Sequence, residues 1–384
     1  MRARVAIPIL ASGAALVLGC ARILGFGDVP SPDAGQDANE EEAAPDASGD
    51  VAADGGGCAL FHVPPPPASE DPSDAGDQSF VVAVHTIDFG VETDGGPPPL
   101  LGLDLDGIDT CCQGGPESCK AAVAGSTHCD DPGGRDNQEG RLLATFAQLA
   151  PGSFDQDTIN QRFASGKESL LLQVSHYNGQ ANDTQVSVAM FASHGLVPGP
   201  DGGATTAQWN GTDTWTVDPR FVVGGGDAGP VVPTHFDIHA YVVGGVLVAK
   251  MELPLPFPAN GVDIDLTAAI GMARIEPALG SFRLAEGMLA GRWTASSVLT
   301  WLQTFRSAFG YICKGTALYS NVKQTICGSL DVVGDPTQDR TGATCDAMSL
   351  ALAFTADPAQ LGSSATGATP STCPDAGPDD CTMP

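Results

Sequence analysis

Two groups of ligand-type side chains could do chemistry in this chain. In Gly102-Leu-Asp104-Leu-Asp106-Gly107-Ile-Asp109 carboxylates alternate beside glycine, and Asp131 and Asp136 follow in Cys129-Asp-Asp131-Pro-Gly-Gly-Arg-Asp136-Asn137. Hard oxygen donors around a glycine that permits a sharp turn are the chemistry of a calcium loop. The pattern departs from an EF-hand, because the next alternate position is Ile108 and no Glu closes the loop twelve residues on. Asp104, Asp106, Asp109, Asp131 and Asp136 are thus calcium candidates, and calcium is the one cofactor the chain suggests. The departures favour the plainer reading, in which these are Asx-turns flanking a disulfide knot. The second group is His235-Phe-Asp237-Ile-His239, with its three polar residues on one side of a strand. His235 and His239 would lie roughly 13 Å apart on an extended strand, too far to share one small ion without a bend. A solvent-facing polar row is expected there, with a ligand-contacting ledge as the sharper alternative.

No catalytic set accompanies them. The sequence has no Gly-x-Ser-x-Gly elbow, no His-Glu-x-x-His and no phosphate-cradling loop, and the glycine runs at 224–226 and 133–134 open no helix. A net charge of -29 with only 17 basic residues excludes nucleic acid as a natural partner, since phosphate recognition needs clustered Lys and Arg. Anionic lipid head groups are disfavoured for the same reason.

The elements that must position these groups are mostly strands. Phe80-Val-Val-Ala-Val84 and Ser169-Leu-Leu-Leu-Gln-Val-Ser175 are short apolar runs, and Gln185 to Met190 alternates in part. Tyr177 to Asp183 between the last two is rich in residues that tolerate positive φ. Thr234 to Leu253 predicts a hairpin folded at Gly244-Gly245. Counting outward puts Phe236, Ile238, Ala240, Val242, Leu247, Ala249, Met251 and Leu253 on a packed face and His235, Asp237, His239, Tyr241, Lys250 and Glu252 on a wet one. A short helix is expected over 157–164 around Ile159 and Phe163. A longer one is expected over 296–313, capped by Ser296 or Ser297, with Val298, Leu299, Leu302, Phe305 and Phe309 as its stripe.

The chain has eleven cysteines. With Cys20 set aside, Cys58, Cys111, Cys112, Cys119 and Cys129 lie early and Cys313, Cys327, Cys345, Cys373 and Cys381 late, with none between. Both groups are odd, so full pairing requires at least one bridge between them and argues for one domain. A zinc site at Cys111, Cys112, Cys119 and Cys129 fits poorly, because the spacing matches no common paired Cys-x-x-Cys framework and export favours oxidation.

Export is read from the N-terminus. Arg2 and Arg4 precede an apolar stretch from Val5 to Leu18, shorter than the ~20 residues a membrane-spanning helix needs. Val17-Leu-Gly-Cys20 resembles a lipobox, which implies cleavage after residue 19 and lipidation of Cys20. Ala21 in place of an inner-membrane retention Asp points to an outer membrane. Residues 28 to 78 are acidic and rich in Pro, Gly and Ala, and no Lys or Arg occurs from Ile23 to Cys119. Such a segment cannot offset its ordering entropy and reads as a disordered tether.

Leu103 to Cys111, Cys129 to Asn137, Tyr177 to Asp183 and Cys345-Asp-Ala-Met-Ser349 together resemble segments of uncharacterised, cysteine-containing lipoproteins of myxobacterium-like bacteria, over roughly Phe80 to Leu361. The resemblance implies location and architecture and carries over no catalytic residue. The expected organisation is a signal peptide at 1–19, a lipid-anchored tether at 20–78, one globular domain at 79–361 and a flexible cysteine-containing tail at 362–384. The expected fold is mainly β, a disulfide-stapled sandwich or jelly roll with a few helices near the C-terminus. The expected role is ligand binding or scaffolding at the cell envelope, with a glycan or an envelope protein as partner. The alternatives are an exported hydrolase of polysaccharide or peptide and a calcium-stabilised adhesion module.

Overall fold

Apolar residues recurring at every second position drive this chain into long antiparallel strands, and the strands close on themselves. The computed structural model describes residues 60–73, 76–90, 100–111, 117–126, 128–140, 142–143, 156–199, 206–226, 231–251, 255–259, 262–304, 306–307, 310–367 and 373–382. They belong to one compact unit, Ala52–Pro384. The expected signal peptide, Cys20, Cys58, Cys112 and most of the expected tether lie outside the described residues. No helix among the described residues is long and apolar enough to cross a membrane.

In chain order the elements are β1 (Gln78–Asp88), α1 (Gln156–Ala164), β2 (Ser169–Tyr177), β3 (Asp183–Ser193), β4 (Thr214–Val217), β5 (Phe236–Val243), β6 (Val246–Met251), β7 (Leu255–Ala259), β8 (Val262–Ala278), β9 (Ser281–Thr294), α2 (Ala295–Leu302), β10 (Arg306–Ser307), β11 (Gly310–Tyr311), α3 (Ala317–Gly328), β12 (Ala347–Pro358) and β13 (Gln360–Ser364). The main sheet runs β6-β5-β3-β2-β1-β12-β9-β8-β7, and β6 also pairs with β8. Eight antiparallel strands, β1, β2, β3, β5, β6, β8, β9 and β12, therefore form a closed up-and-down barrel whose last strand returns to its first, with Val82 opposite Pro358. The expected sandwich is corrected to a barrel. Strand patterns look alike in both architectures; what closes this one is the length of β8, which reaches β6, β7 and β9. Bulges at Val84/Thr86, Thr267/Ile270 and Phe354/Ala356, with Ala268 and Glu286 at positive φ, supply the local bending that closure needs.

Val82, Leu170, Val188, Leu247, Leu284 and Leu352 are buried in the core that fills the barrel. Each such side chain contributes about 1.5–3 kcal/mol by leaving water. The apolar runs of β1 and β2 are unbroken because their outer face is covered as well. Ala83, Leu171 and Phe191 pack beneath Trp215, Phe221 and Val217, a second core between the wall and a layer formed by residues 206–226 and 231–235, which include β4, together with β13.

α1 follows the sequence expectation, burying Ile159 and Phe163, and Asn160 bonds both backbone groups of Ile87 at 2.8 and 2.9 Å. The helix expected over 296–313 is shorter: it begins at Thr294, whose hydroxyl accepts from Ser297, and ends at Leu302. Beyond it the buried Gln303 amide reaches Leu299 and Gly377 carbonyls, and the chain turns into the β10–β11 pair. The side chains of Phe305 and Phe309 lie outside the described set. α3, capped by Thr316, has no counterpart in the sequence reading.

The β5–β6 hairpin turns at Gly244 and Gly245, both at positive φ. Its face assignment needs correction at both ends of β5: Tyr241, expected on the wet face, is buried with its hydroxyl donating to the Pro64 carbonyl. Phe236 and Ile238 are 51% and 49% exposed, because the pairing slips by one residue between Val186↔Ala240 and Val188↔Asp237, and a slip of one reverses every side chain beyond it.

Among the described residues four disulfides staple the unit: Cys111–Cys129, Cys119–Cys345, Cys313–Cys373 and Cys327–Cys381. They mark an oxidising, extracytoplasmic compartment. The second joins the early and late groups, the kind of bridge that full pairing of the ten cysteines would require. The segment expected as a flexible tail carries Cys373 and Cys381, and its Asp379 accepts from the Tyr319 hydroxyl (2.6 Å) and pairs with Lys323.

Candidate functional site

Features of the described residues that could take a ligand include a carboxylate cluster outside the barrel, the β5 ledge, and a groove at one end of the outer layer. The carboxylate cluster begins with the loop at 100–111, whose buried Leu101, Leu103 and Ile108 anchor it. Asp104 accepts the Gly107 N–H (2.5 Å) and Asp106 that of Ile108 (2.9 Å), the Asx-turns expected of Asp beside Gly. The segment carrying Asp136 lies alongside: its N–H bonds the Leu103 carbonyl, and its carboxylate accepts from the Leu105 N–H at 2.7 Å. Oxygens of Asp104, Asp106 and Asp136 consequently lie within 4.8 Å of one another.

Around this trio charge is unevenly balanced. Burial pushes the Asp130 carboxyl up to about 7, with Asp106, Asp331 and Asp109 adding repulsion. Burial likewise raises Asp331 to about 6, although Ser349 donates to it from both its N–H and its hydroxyl. Asp136 is raised well above the usual carboxylate range by burial and then by Asp106, Asp331 and Asp130. The nearest fully buried cation is Arg292 on β9, 1% exposed, whose guanidinium is committed to Asp339 and to the carbonyls of Val333 and Leu105.

Of the sequence candidates, Asp104, Asp106 and Asp136 converge, while Asp109 and Asp131 do not join them. The Asp131 backbone is paired both ways with that of Arg135. Asp130 and Asp331 were missed. Asp130 is adjacent in sequence, and its Oδ2 accepts from the Thr110 N–H at 2.6 Å; Asp331 arrives from beyond α3 with no local signal.

The β5 ledge lines a surface cavity of about 390 Å³ with His235, Phe236, Asp237, Ile238, His239, Lys250 and Met251. The Asp237 carboxylate is engaged by the backbone N–H groups of His239 (2.8 Å) and Lys250 (2.7 Å), and His235 lies against Phe221 with ring centroids 4.9 Å apart. Phe236 and Ile238 turn the expected polar row into a mixed one.

The groove, about 510 Å³, was not singled out by sequence. Ser79, Gln173, Asn210, Thr212, Ser281 and Gln360 line it with amides and hydroxyls, exposed Leu279 adds an apolar edge, and no charged side chain contributes. Its Asn210–Thr212 wall is held in place. The buried Asp213 carboxylate accepts from the N–H groups of Gln208 (2.9 Å) and Trp209 (2.6 Å), and the Asn210 side chain accepts from Thr212 twice. Trp209 stacks on His85 at 3.9 Å, and His85 is bonded to Asp357.

By contrast the barrel interior holds an apolar cavity of only about 50 Å³ between residues such as Met190, Met251 and Met272. That is well below the roughly 150 Å³ that admits a benzene-sized guest. The core is packed. The chain matches no protein-family model, no curated protein and no solved structure.

Proposed function

We propose that this protein is a binding module of the cell envelope that takes a neutral, hydroxyl-rich ligand, a glycan segment, in the groove beside the Asn210–Thr212 turn. One observation carries the reading: on a chain of net charge -29, a groove of about 510 Å³ combines amides and hydroxyls with apolar Phe80, Val81, Leu279, Pro358 and Ala359 and has no charged side chain in its lining. Amides donate and accept at once, which suits sugar hydroxyls. The turn anchored by Asp213 is pre-organised, so less ordering entropy is lost on binding. Glycoside hydrolysis needs two carboxyl groups flanking the bond, and the groove lining contains none, which supports binding over cleavage. Lipidated Cys20 and the acidic segment at 28–78 would hold the barrel at the outer membrane and away from its surface, consistent with the resemblance to myxobacterial lipoproteins.

The test is a glycan array with detergent-solubilised full-length protein, followed by calorimetry on the hits. Gln173→Ala, Asn210→Ala and Gln360→Ala should each weaken binding by about 0.5–1.5 kcal/mol, roughly two- to tenfold. Absence of any glycan hit, or hits indifferent to all three substitutions, overturns the proposal.

A further inference from the structure

We infer that Asp104, Asp106 and Asp136 form a calcium site that ties the loop at 100–111 to the segment at 131–136 on the outside of the barrel. All the side chains offered are carboxylates, the donor type of a hard cation, and their oxygens lie within 4.8 Å of one another. Two ligands on opposite sides of a calcium ion are about 4.6–5.2 Å apart at the usual calcium–oxygen distances, so one ion can touch all three. A second observation is independent of the clustering. The Asp104 side chain is 1% exposed, and its Oδ2 has no hydrogen-bond partner, whereas its other oxygen is bonded to Gly107. A buried carboxylate oxygen left without a donor is costly and wants a cation.

Among the described residues, the cations beside the trio do not meet that need: Arg340 donates to the backbone carbonyls of Asp106 and Gly107. His62 brings Nδ1 to 3.3 Å of Asp104 Oδ2 without hydrogen-bond geometry, and its side chain is 66% exposed. Arg292 is held by Asp339. Asp136 also accepts the Leu105 N–H, and Asp106 that of Ile108, so both carboxylates are fixed by backbone donors that orient them for an ion. The site stands apart from the glycan groove and shares no lining residue with it.

The experiment uses full-length protein in detergent, stripped with chelator and titrated with calcium chloride by calorimetry, with melting curves in parallel. One calcium per chain is expected, with a rise in melting temperature of roughly 5 °C at a hundredfold excess over Kd. An Asp104→Asn, Asp106→Asn double variant should lose the heat and the shift while keeping its circular dichroism; His62→Ala should keep both. Because calorimetry on the unaltered protein needs no variant to fold, silence up to millimolar calcium overturns the proposal directly. Unchanged binding in the double variant, or an equal melting shift with magnesium, overturns it as well.

Discussion

Removal of the Cys119–Cys345 bridge by paired Cys→Ala substitution should be the most damaging loss among the four described disulfides. Its sequence separation is 226 residues, and neither Cys313–Cys373 nor Cys327–Cys381 offers the unfolded chain an appreciably shorter path between its ends. In the loop-closure model a loop of that size contributes about 5 kcal/mol, against about 4 for the 60-residue separation of Cys313–Cys373 and about 3 for the 18 of Cys111–Cys129. The loss is comparable to the whole net stability of many domains, 5–15 kcal/mol. Equilibrium urea unfolding with the other bridges intact should show both a lower midpoint and a steeper slope, since the freed denatured chain exposes more surface. A second readout follows from topology: a single proteolytic nick between β2 and β9 leaves two pieces that, of the described bridges, only Cys119–Cys345 joins. The pieces should separate on a gel only with reductant. If the variant costs no more than removal of Cys111–Cys129 and its slope is unchanged, the entropic reasoning fails.

Glu139 is 1% exposed, neither carboxylate oxygen has a hydrogen-bond partner, and burial raises its pKa well above the usual carboxylate range. The folded state then keeps a proton that the unfolded chain releases, so this group's contribution to stability falls as pH rises from about 4.5 toward the folded value. Glu139→Gln should flatten that decline and raise the urea midpoint at pH 7, and an unchanged pH profile would show that the side chain finds a partner. Trp215→Ala, which empties the middle of the second core, should cost about 3–5 kcal/mol by the same denaturation assay, whereas a loss under 1 kcal/mol would mean the outer layer is not integral to the fold. Cys20→Ser should move the protein from the detergent phase to the aqueous phase in partitioning; retention in the detergent phase contradicts lipid anchoring.

Periodicity made the strands and α1 legible, because side chains at every second position or on one helical face report directly on a neighbouring core. The early–late bridge was legible from parity alone. Barrel closure was not, since it depends on β12 meeting β1 and on β8 reaching three partners, contacts that leave no local pattern. The bulge near Ile238 defeated the face assignment for the same reason: an alternating sequence says which residues share a face only while the register holds. At the carboxylate cluster, Gly107 and the alternation mark Asp104 and Asp106, but nothing local in Asp130-Asp131 shows that the buried carboxyl is that of Asp130. Asp331 required the third dimension. The groove escaped notice because amides and hydroxyls scattered over 79–360 carry no spacing that marks them as one surface.

The return of β12 to β1 also bears on how the molecule is made. A chain synthesised from its N-terminus presents β1 first, yet the partner that completes β1's second edge, Ala353 to Pro358, lies some 270 residues behind it, as the separation of 269 between Thr86 and Thr355 shows. Until that strand emerges, the wall has an open seam and Cys119 has no Cys345 to meet. Such long-range closure is slow, because a large loop must be ordered before the final contacts reward it. The barrel therefore stays incomplete until β12 is made, and in that interval β1 and β9 present unpaired edges open to wrong pairing.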